Sequence, residues 1–125
     1  MKPLRRKPTD AELAILRVLW TRGPSTVREV AEALGRASAY TTVLKLLQIM
    51  TEKRLVIRDE SARTHIYRAA FTEGQTQRHL VRDLITRAFD GSAAKLVLQA
   101  LESEKTSAEE LEAIRKLIES HRGSR

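Results

Sequence analysis

Closely spaced start and stop signals divide the first part of the chain into short helices. Thr9-Asp-Ala-Glu12 and Thr26-Val-Arg-Glu29 are capping boxes, in which a Thr hydroxyl and a Glu carboxylate bind free amides at a helix start. Gly23-Pro24 and Gly35 follow these boxes as helix terminators. The pattern predicts two short helices, each beginning at one of the boxes.

A third helix is predicted from Ala39 to Lys53, with Ser38 as its N-cap. Its apolar side chains recur at helical spacing; they are Val43, Leu46, Leu47 and Met50.

Two β-rich segments follow, residues 55–59 and 63–68, joined by the short polar stretch 60–62. This arrangement predicts a β-hairpin. Three short helices followed by a hairpin is the order of a winged helix-turn-helix domain, which we assign to residues 1–71. The expected fold class is therefore mainly α with a small β-hairpin.

From residue 72 the chain returns to helical signals. Thr72-Glu-Gly-Gln75 predicts a long helix through Phe89, and a second helix is expected from Ser92 to about Glu102. Ser107-Ala-Glu-Glu110 is another capping box and opens a last helix. The apolar residues of these helices are Leu80, Leu84, Ile85, Phe89, Leu96, Val97, Leu101, Leu111, Ile114, Leu117 and Ile118.

These helices have little tertiary body on which to bury their apolar side chains. Isolated helices of such length are marginal in water. We therefore expect residues 72–125 to form a helical dimerisation domain that packs on its counterpart in a second subunit. A helical cap folded back within a monomer is the alternative.

The positive charge lies in the N-terminal part. Residues 1–71 contain 14 Lys and Arg against seven acids, and residues 72–125 contain nine of each, so the net charge of +7 resides in the predicted winged domain. A localised basic surface is typical of proteins that bind a polyanion, most often nucleic acid. Aromatic residues make up only 4% of the chain, which disfavours a stacking platform for single strands. Duplex DNA is the expected partner, and a basic domain that is merely soluble is the alternative.

Other classes of protein are disfavoured. Zero cysteines exclude disulfides, thiolate metal sites and a Cys nucleophile. The three histidines, His65, His79 and His121, have no metal-site spacing, and no phosphate loop or nucleophile elbow is present, so we expect no enzyme, cofactor or metal. No apolar stretch reaches the ~18–20 residues that span a bilayer, and no signal core follows the N-terminus. We expect a cytoplasmic protein without membrane insertion.

The third predicted helix is the candidate for reading bases. In a helix-turn-helix, the first residues of the second motif helix enter the major groove. Side chains on other elements then bind phosphates and position the protein. The candidate base-reading residues are Thr41, Thr42 and Lys45, and the candidate phosphate contacts are Arg28, Ser38, Tyr40 and, at the hairpin tip, Arg63.

These motifs together resemble the BlaI/MecI/CopY family of penicillinase-type repressors. The similarity rests on the following segments in this order: Thr9-x-Ala-Glu12, Val18-Leu19-Trp20, Gly23-Pro24, Thr26-Val-Arg-Glu-Val30, Ala39-Tyr-Thr-Thr-Val43 and Arg63…Tyr67. Later segments resemble the dimerisation half of the family: Phe89-Asp-Gly-Ser92 and Ser107-x-Glu-Glu110-Leu111.

The resemblance implies a homodimeric winged-helix repressor that binds a palindromic operator, commonly a TACA/TGTA dyad, and blocks transcription. In the β-lactam branch of this family, a membrane sensor-protease leads to cleavage in the dimerisation half. Copper-responsive members release DNA through a C-terminal cysteine cluster. A winged-helix adaptor that binds proteins without reading DNA sequence is the alternative function.

This sequence departs from the family pattern at three points. It has no cysteine, which excludes thiolate copper sensing. Gln99-Ala100 stands where the β-lactam branch has its cleaved Asn-Phe bond, which argues against proteolysis there and against a role in β-lactam resistance. Arg54 stands where the family has a glycine after the third helix. If Arg54 occupies a left-handed cap, it costs about 1 kcal/mol relative to Gly, and it is a further candidate phosphate contact.

Overall fold

The computed structural model describes residues 7–35, 39–103 and 105–123. In chain order the elements are α1 (Asp10–Arg22), α2 (Val27–Ala33), α3 (Tyr40–Glu52), β1 (Val56–Asp59), β2 (Ile66–Ala69), α4 (Glu73–Ala88), α5 (Ala93–Ser103) and α6 (Ala108–Gly123). Three helices and an antiparallel hairpin form a winged helix domain, and three helices follow it. The predicted fold class is confirmed.

The two capping boxes of the N-terminal part form as hydrogen-bonded pairs. Thr9 Oγ1 accepts from the Glu12 amide at 3.2 Å, and Glu12 Oε1 accepts from the Thr9 amide at 2.8 Å. Thr26 and Glu29 repeat this geometry at 3.2 and 2.9 Å. Both helices therefore begin where the sequence predicts, because the bonds that start them join residues three apart.

The start of α3 differs from the prediction. The N-cap of this helix is Ala39, which makes no side-chain cap hydrogen bond, and Tyr40 is the first helical residue. The helix therefore begins one residue later than expected, and the N-cap is not the predicted Ser38, which lies outside the described residues.

The end of α3 is a Schellman motif with Arg54 at the left-handed position. The Leu55 amide donates to Met50 O at 2.9 Å, and the Arg54 amide donates to Thr51 O at 3.1 Å. Arg54 has φ 64°, a conformation that favours glycine. Leu55 and Met50 are both buried, which supplies the hydrophobic contact of this motif. The predicted left-handed cap is confirmed.

Replacing Arg54 by Gly is expected to stabilise the domain. The substitution removes the left-handed strain of about 1 kcal/mol, partly offset by the greater freedom of Gly in the unfolded chain. Arg54→Ala keeps the strain and removes the guanidinium, so it serves as the matched control. Urea denaturation should give a higher free energy of unfolding for Arg54→Gly than for the parent or for Arg54→Ala. Equal free energies of unfolding for the Gly and Ala variants would contradict the proposed backbone strain at this position.

The hairpin is attached to the helices through Ser25. Strands β1 and β2 pair antiparallel, with Val56 opposite Ala69. Ser25, in the turn between α1 and α2, exchanges backbone hydrogen bonds of 2.9 and 2.8 Å with Tyr67 of β2. Strand β2 begins at Ile66, three residues later than the predicted segment, because residues 61–64 bend to form the hairpin tip.

The hydrophobic core joins α1, α2, α3 and the hairpin. Its buried members are Ile15, Leu16, Leu19, Val27, Val30, Ala31, Val43, Leu47, Met50, Leu55, Val56 and Tyr67. An ion pair between the buried Glu12 and the partly buried Lys53 crosses the domain: Glu12 Oε1, at the start of α1, lies 2.7 Å from Lys53 Nζ, at the end of α3. Packing in this core therefore fixes the orientation of α3 and of the hairpin, and with it which of their side chains are exposed.

The described chain divides into two compact units, one ending at Arg82 and one beginning at Asp83. In the first, Trp20 Nε1 donates to Phe71 O at 2.9 Å, and the buried His79 ring meets the edge of the Phe71 ring. In the second, neither α5 nor α6 has a buried residue along the residues described. Of the helices described, none is sufficiently long and apolar to cross a membrane.

Candidate nucleic-acid interface

A groove of 530 Å³ lies between the start of α2, the start of α3 and the loop that joins the strands. Three predicted phosphate contacts line it, although they come from three separate elements: Arg28, Tyr40 and Arg63. The other lining residues are Thr26, Val27, Leu44, Thr64, His65 and Tyr67. The fold thus brings predicted contact residues together in one place.

The groove is lined by positive charge. Among the residues that the structure describes, two arginines line it, and no carboxylate does. The Glu29 carboxylate accepts a hydrogen bond from the Thr26 amide, which lowers the pKa of Glu29 below its ordinary value, and Arg22 acts in the same direction. Across the described ranges, no three His, Asp or Glu side chains are placed to hold a metal ion. The two arginines of the groove suit an anionic ligand.

Arg28 is positioned by Tyr40. The guanidinium carbon of Arg28 lies over the Tyr40 ring, 6.0 Å from its centroid, at the outer range of a cation–π contact. Both side chains are largely exposed, so the pair stands at the surface. The Tyr40 ring therefore lies beside the Arg28 guanidinium where both line the groove.

The exposed face of α3 lies beside the residues that line the groove. At 100° per residue, Thr41 and Lys45 point away from the buried Val43, Leu47 and Met50. Thr42 is also exposed, at the edge of this face. The same arithmetic adds Gln48, an exposed residue that the sequence analysis missed and that lies one turn beyond Lys45. Glutamine is suited to bidentate hydrogen bonding with adenine.

The hairpin arginines have different surroundings. Arg63 is exposed at the tip, as predicted. Arg58 Nε donates to Glu60 Oε2 at 3.0 Å, and the Tyr67 and Glu60 side chains raise the pKa of the Arg58 guanidinium. Ser61 donates to Asp59, which lowers the pKa of that carboxyl and holds the turn. Arg63 is therefore the hairpin arginine that the structure places at the groove.

None of the predicted dimerisation residues is fully buried within the described part of the chain. The half-buried ones are Leu80, Ile85, Phe89, Leu96 and Ile114, and the exposed ones are Leu84, Val97, Leu101, Leu111, Leu117 and Ile118. Val81 and Leu98 are further exposed apolar side chains that the sequence analysis did not select.

Comparison with known proteins gives a match over almost the whole chain. Residues 8–120 match the sequence model of the penicillinase repressor family. The transcriptional regulator BlaI of Mycobacterium tuberculosis is 34% identical over 112 residues, which cover 87% of this chain and 80% of the relative. The penicillinase repressor of Bacillus licheniformis is 23% identical over 116 residues, which cover 91% of each chain.

Proposed function

This chain belongs to the penicillinase repressor family and is a transcriptional repressor, not an enzyme, and we propose that it binds a palindromic operator as a homodimer and so blocks transcription. Residues 1–71 bind DNA, and residues 72–125 form the dimer. Such a repressor acts where the chromosome is accessible, which in a bacterial-type cell is the cytoplasm.

The groove is the observation that carries the proposal. Arg28 and Arg63 lie on its two sides, and Tyr40 stacks against the first of them. A DNA phosphate is the anion that suits this arrangement, because the residues belong to the helices and hairpin that flank a recognition helix. With the backbone held there, the exposed Thr41, Lys45 and Gln48 of α3 face the major groove.

The homodimer is supported by the apolar faces of α5 and α6. Leu98, Leu117 and Ile118 are each more than half exposed. Covering such faces with a second copy gives two-fold symmetry, which places two recognition helices about 34 Å apart in successive major grooves. A palindromic operator follows from that symmetry.

The relation to a sensor-protease rests on the family analogy alone. Gln99 and Ala100 lie inside α5, where each is exposed. A peptide bond within a helix must unfold locally before a protease can bind it. We therefore propose that this chain is released from DNA without cleavage at Gln99-Ala100.

Selection of bound sites from random duplex DNA at two salt concentrations tests the function. We expect enrichment of an inverted repeat, with affinity falling as salt rises because several phosphates are neutralised. Binding that is weak, independent of salt and indifferent to sequence would contradict the repressor function and favour a protein-binding adaptor.

Lys45→Ala is expected to weaken binding to the selected operator by roughly ten- to a hundredfold. If Lys45 contacts a base, the variant should lose the preference for one base pair at a single operator position. If Lys45 contacts a phosphate, the variant should lose a similar factor of affinity for every DNA sequence, and its affinity should depend less on salt concentration. Titration of labelled operators carrying single base changes distinguishes the two. Lys116→Ala, which removes the same charge from α6, is the control, and equal affinity of both variants and the parent at every site would exclude both a base contact and a phosphate contact by Lys45.

A further inference from the structure

His65 lies at the groove between the helices and the hairpin. The predicted β-rich segment 63–68 includes this residue, but β2 begins at Ile66, and His65 ends the hairpin loop. Its side chain lines the groove together with Arg28, Arg63, Tyr40 and Tyr67. The imidazole is thus close to the place where a DNA phosphate is proposed to bind.

The charges around His65 favour an anion between it and the arginines. Arg28 lines the groove from α2, Arg63 from the loop and Tyr40 from α3, and the buried Tyr67 of β2 also lines it. A carboxylate also lies beside the ring, since Glu60 Oε1 is 3.9 Å from His65 Nε2. Glu60 Oε2 is already bound by Arg58 Nη2 at 3.0 Å, so this carboxylate is shared between the Arg58 guanidinium and the His65 imidazole.

The protonation state decides whether the imidazole helps to bind phosphate. Neutral imidazole has one N–H donor and one acceptor nitrogen, whereas the protonated ring has two donors and a positive charge. A phosphate beside the ring therefore binds the protonated form more tightly. Histidine is the side chain whose charge changes near neutral pH, while arginine and tyrosine keep their charge states there.

We propose that His65 is the third cationic contact of this groove and that it binds a DNA phosphate in its protonated form. This inference rests on the proposed DNA-binding function. Binding of the operator then takes up a proton, so affinity is higher at low pH and falls as pH rises through the range in which imidazole loses its proton.

The test is operator affinity between about pH 5.5 and pH 8 at constant ionic strength, where imidazole titrates. For the parent we expect a decrease of roughly three- to tenfold across this range, as for the loss of one charged contact. The salt slope should be steeper at low pH by about one phosphate. His65→Gln should show no pH dependence and retain the parent's high-pH affinity, and His65→Arg should retain the low-pH affinity throughout.

His121→Gln is the control, because His121 lies at the end of α6 and should not alter the pH profile. A flat profile for the parent, or a profile for His65→Gln that still falls with pH, would overturn the role of His65 while leaving sequence-specific binding intact. Failure of every variant to bind the selected operator at any pH would instead overturn the DNA-binding function and this inference with it.

Discussion

Leu117→Asp is expected to convert the proposed homodimer to a monomer and to abolish tight operator binding. Leu117 is 59% exposed in the single chain and lies on the face of α6 that also carries Leu111, Ile114 and Ile118. Burying a polar group without a partner costs about 1–3 kcal/mol, and two-fold symmetry applies that cost twice. The dimer dissociation constant should rise by roughly a thousandfold.

Sedimentation velocity across a range of protein concentrations measures this change, and operator titration measures its consequence. A monomer makes only half of the phosphate and base contacts, so its affinity and its salt dependence should both decrease. Lys116→Asp introduces a carboxylate on the opposite side of the same helix and should leave the dimer intact. A parent protein that sediments as a monomer, or a Leu117→Asp variant that remains a dimer, would contradict the proposed interface and favour a folded-back helical cap.

Glu12→Ala is expected to lower the free energy of unfolding by about 3–5 kcal/mol. Glu12 is 2% exposed, and its Oε1 accepts hydrogen bonds from the Thr9 amide and from Lys53 Nζ. Removing the carboxylate leaves the Lys53 ammonium, itself only 12% exposed, without its partner. The loss is a large fraction of the stability of a small domain, about 5–15 kcal/mol.

Glu29→Ala provides a matched control for this prediction. Glu29 occupies the same position in the capping box of α2, but its side chain is 45% exposed and its ion pair with Arg22 spans 3.6 Å at the surface. Losing this cap should cost only about 0.5–2 kcal/mol. Urea unfolding at one protein concentration compares the two variants, and equal losses would show that burial of the Glu12–Lys53 pair adds nothing.

The local elements of the fold were predictable because their interactions join residues close in the chain. The two capping boxes define the starts of α1 and α2, and the glycine missing at Arg54 indicates a strained left-handed cap that the structure contains. The start of α3 was predicted less well, since Ala39 offers no side-chain cap.

The candidate site was predictable residue by residue but not as a site. Charge and position in the motif predicted three contact residues one by one: Arg28, Tyr40 and Arg63. Their spacing in the sequence does not predict that they line the same groove. His65 was passed over because β2 was expected to begin at residue 63. Gln48 was not predicted as a DNA contact, although its spacing from Thr41 and Lys45 places it on the same helix face. Whether these residues contact DNA stays a prediction.

Three properties follow from the sequence alone: the starts of α1 and α2, the residues of the apolar stripes and the part of the chain that carries the positive charge. These properties depend on residue type and on spacings of a few positions. Three other features depend on the tertiary structure. Glu12 binds Lys53, which is 41 positions away, and Ser25 pairs with Tyr67. The hairpin tip lines one side of a groove. Such contacts form because the chain buries its apolar residues together, and which distant residues then become neighbours follows from that packing.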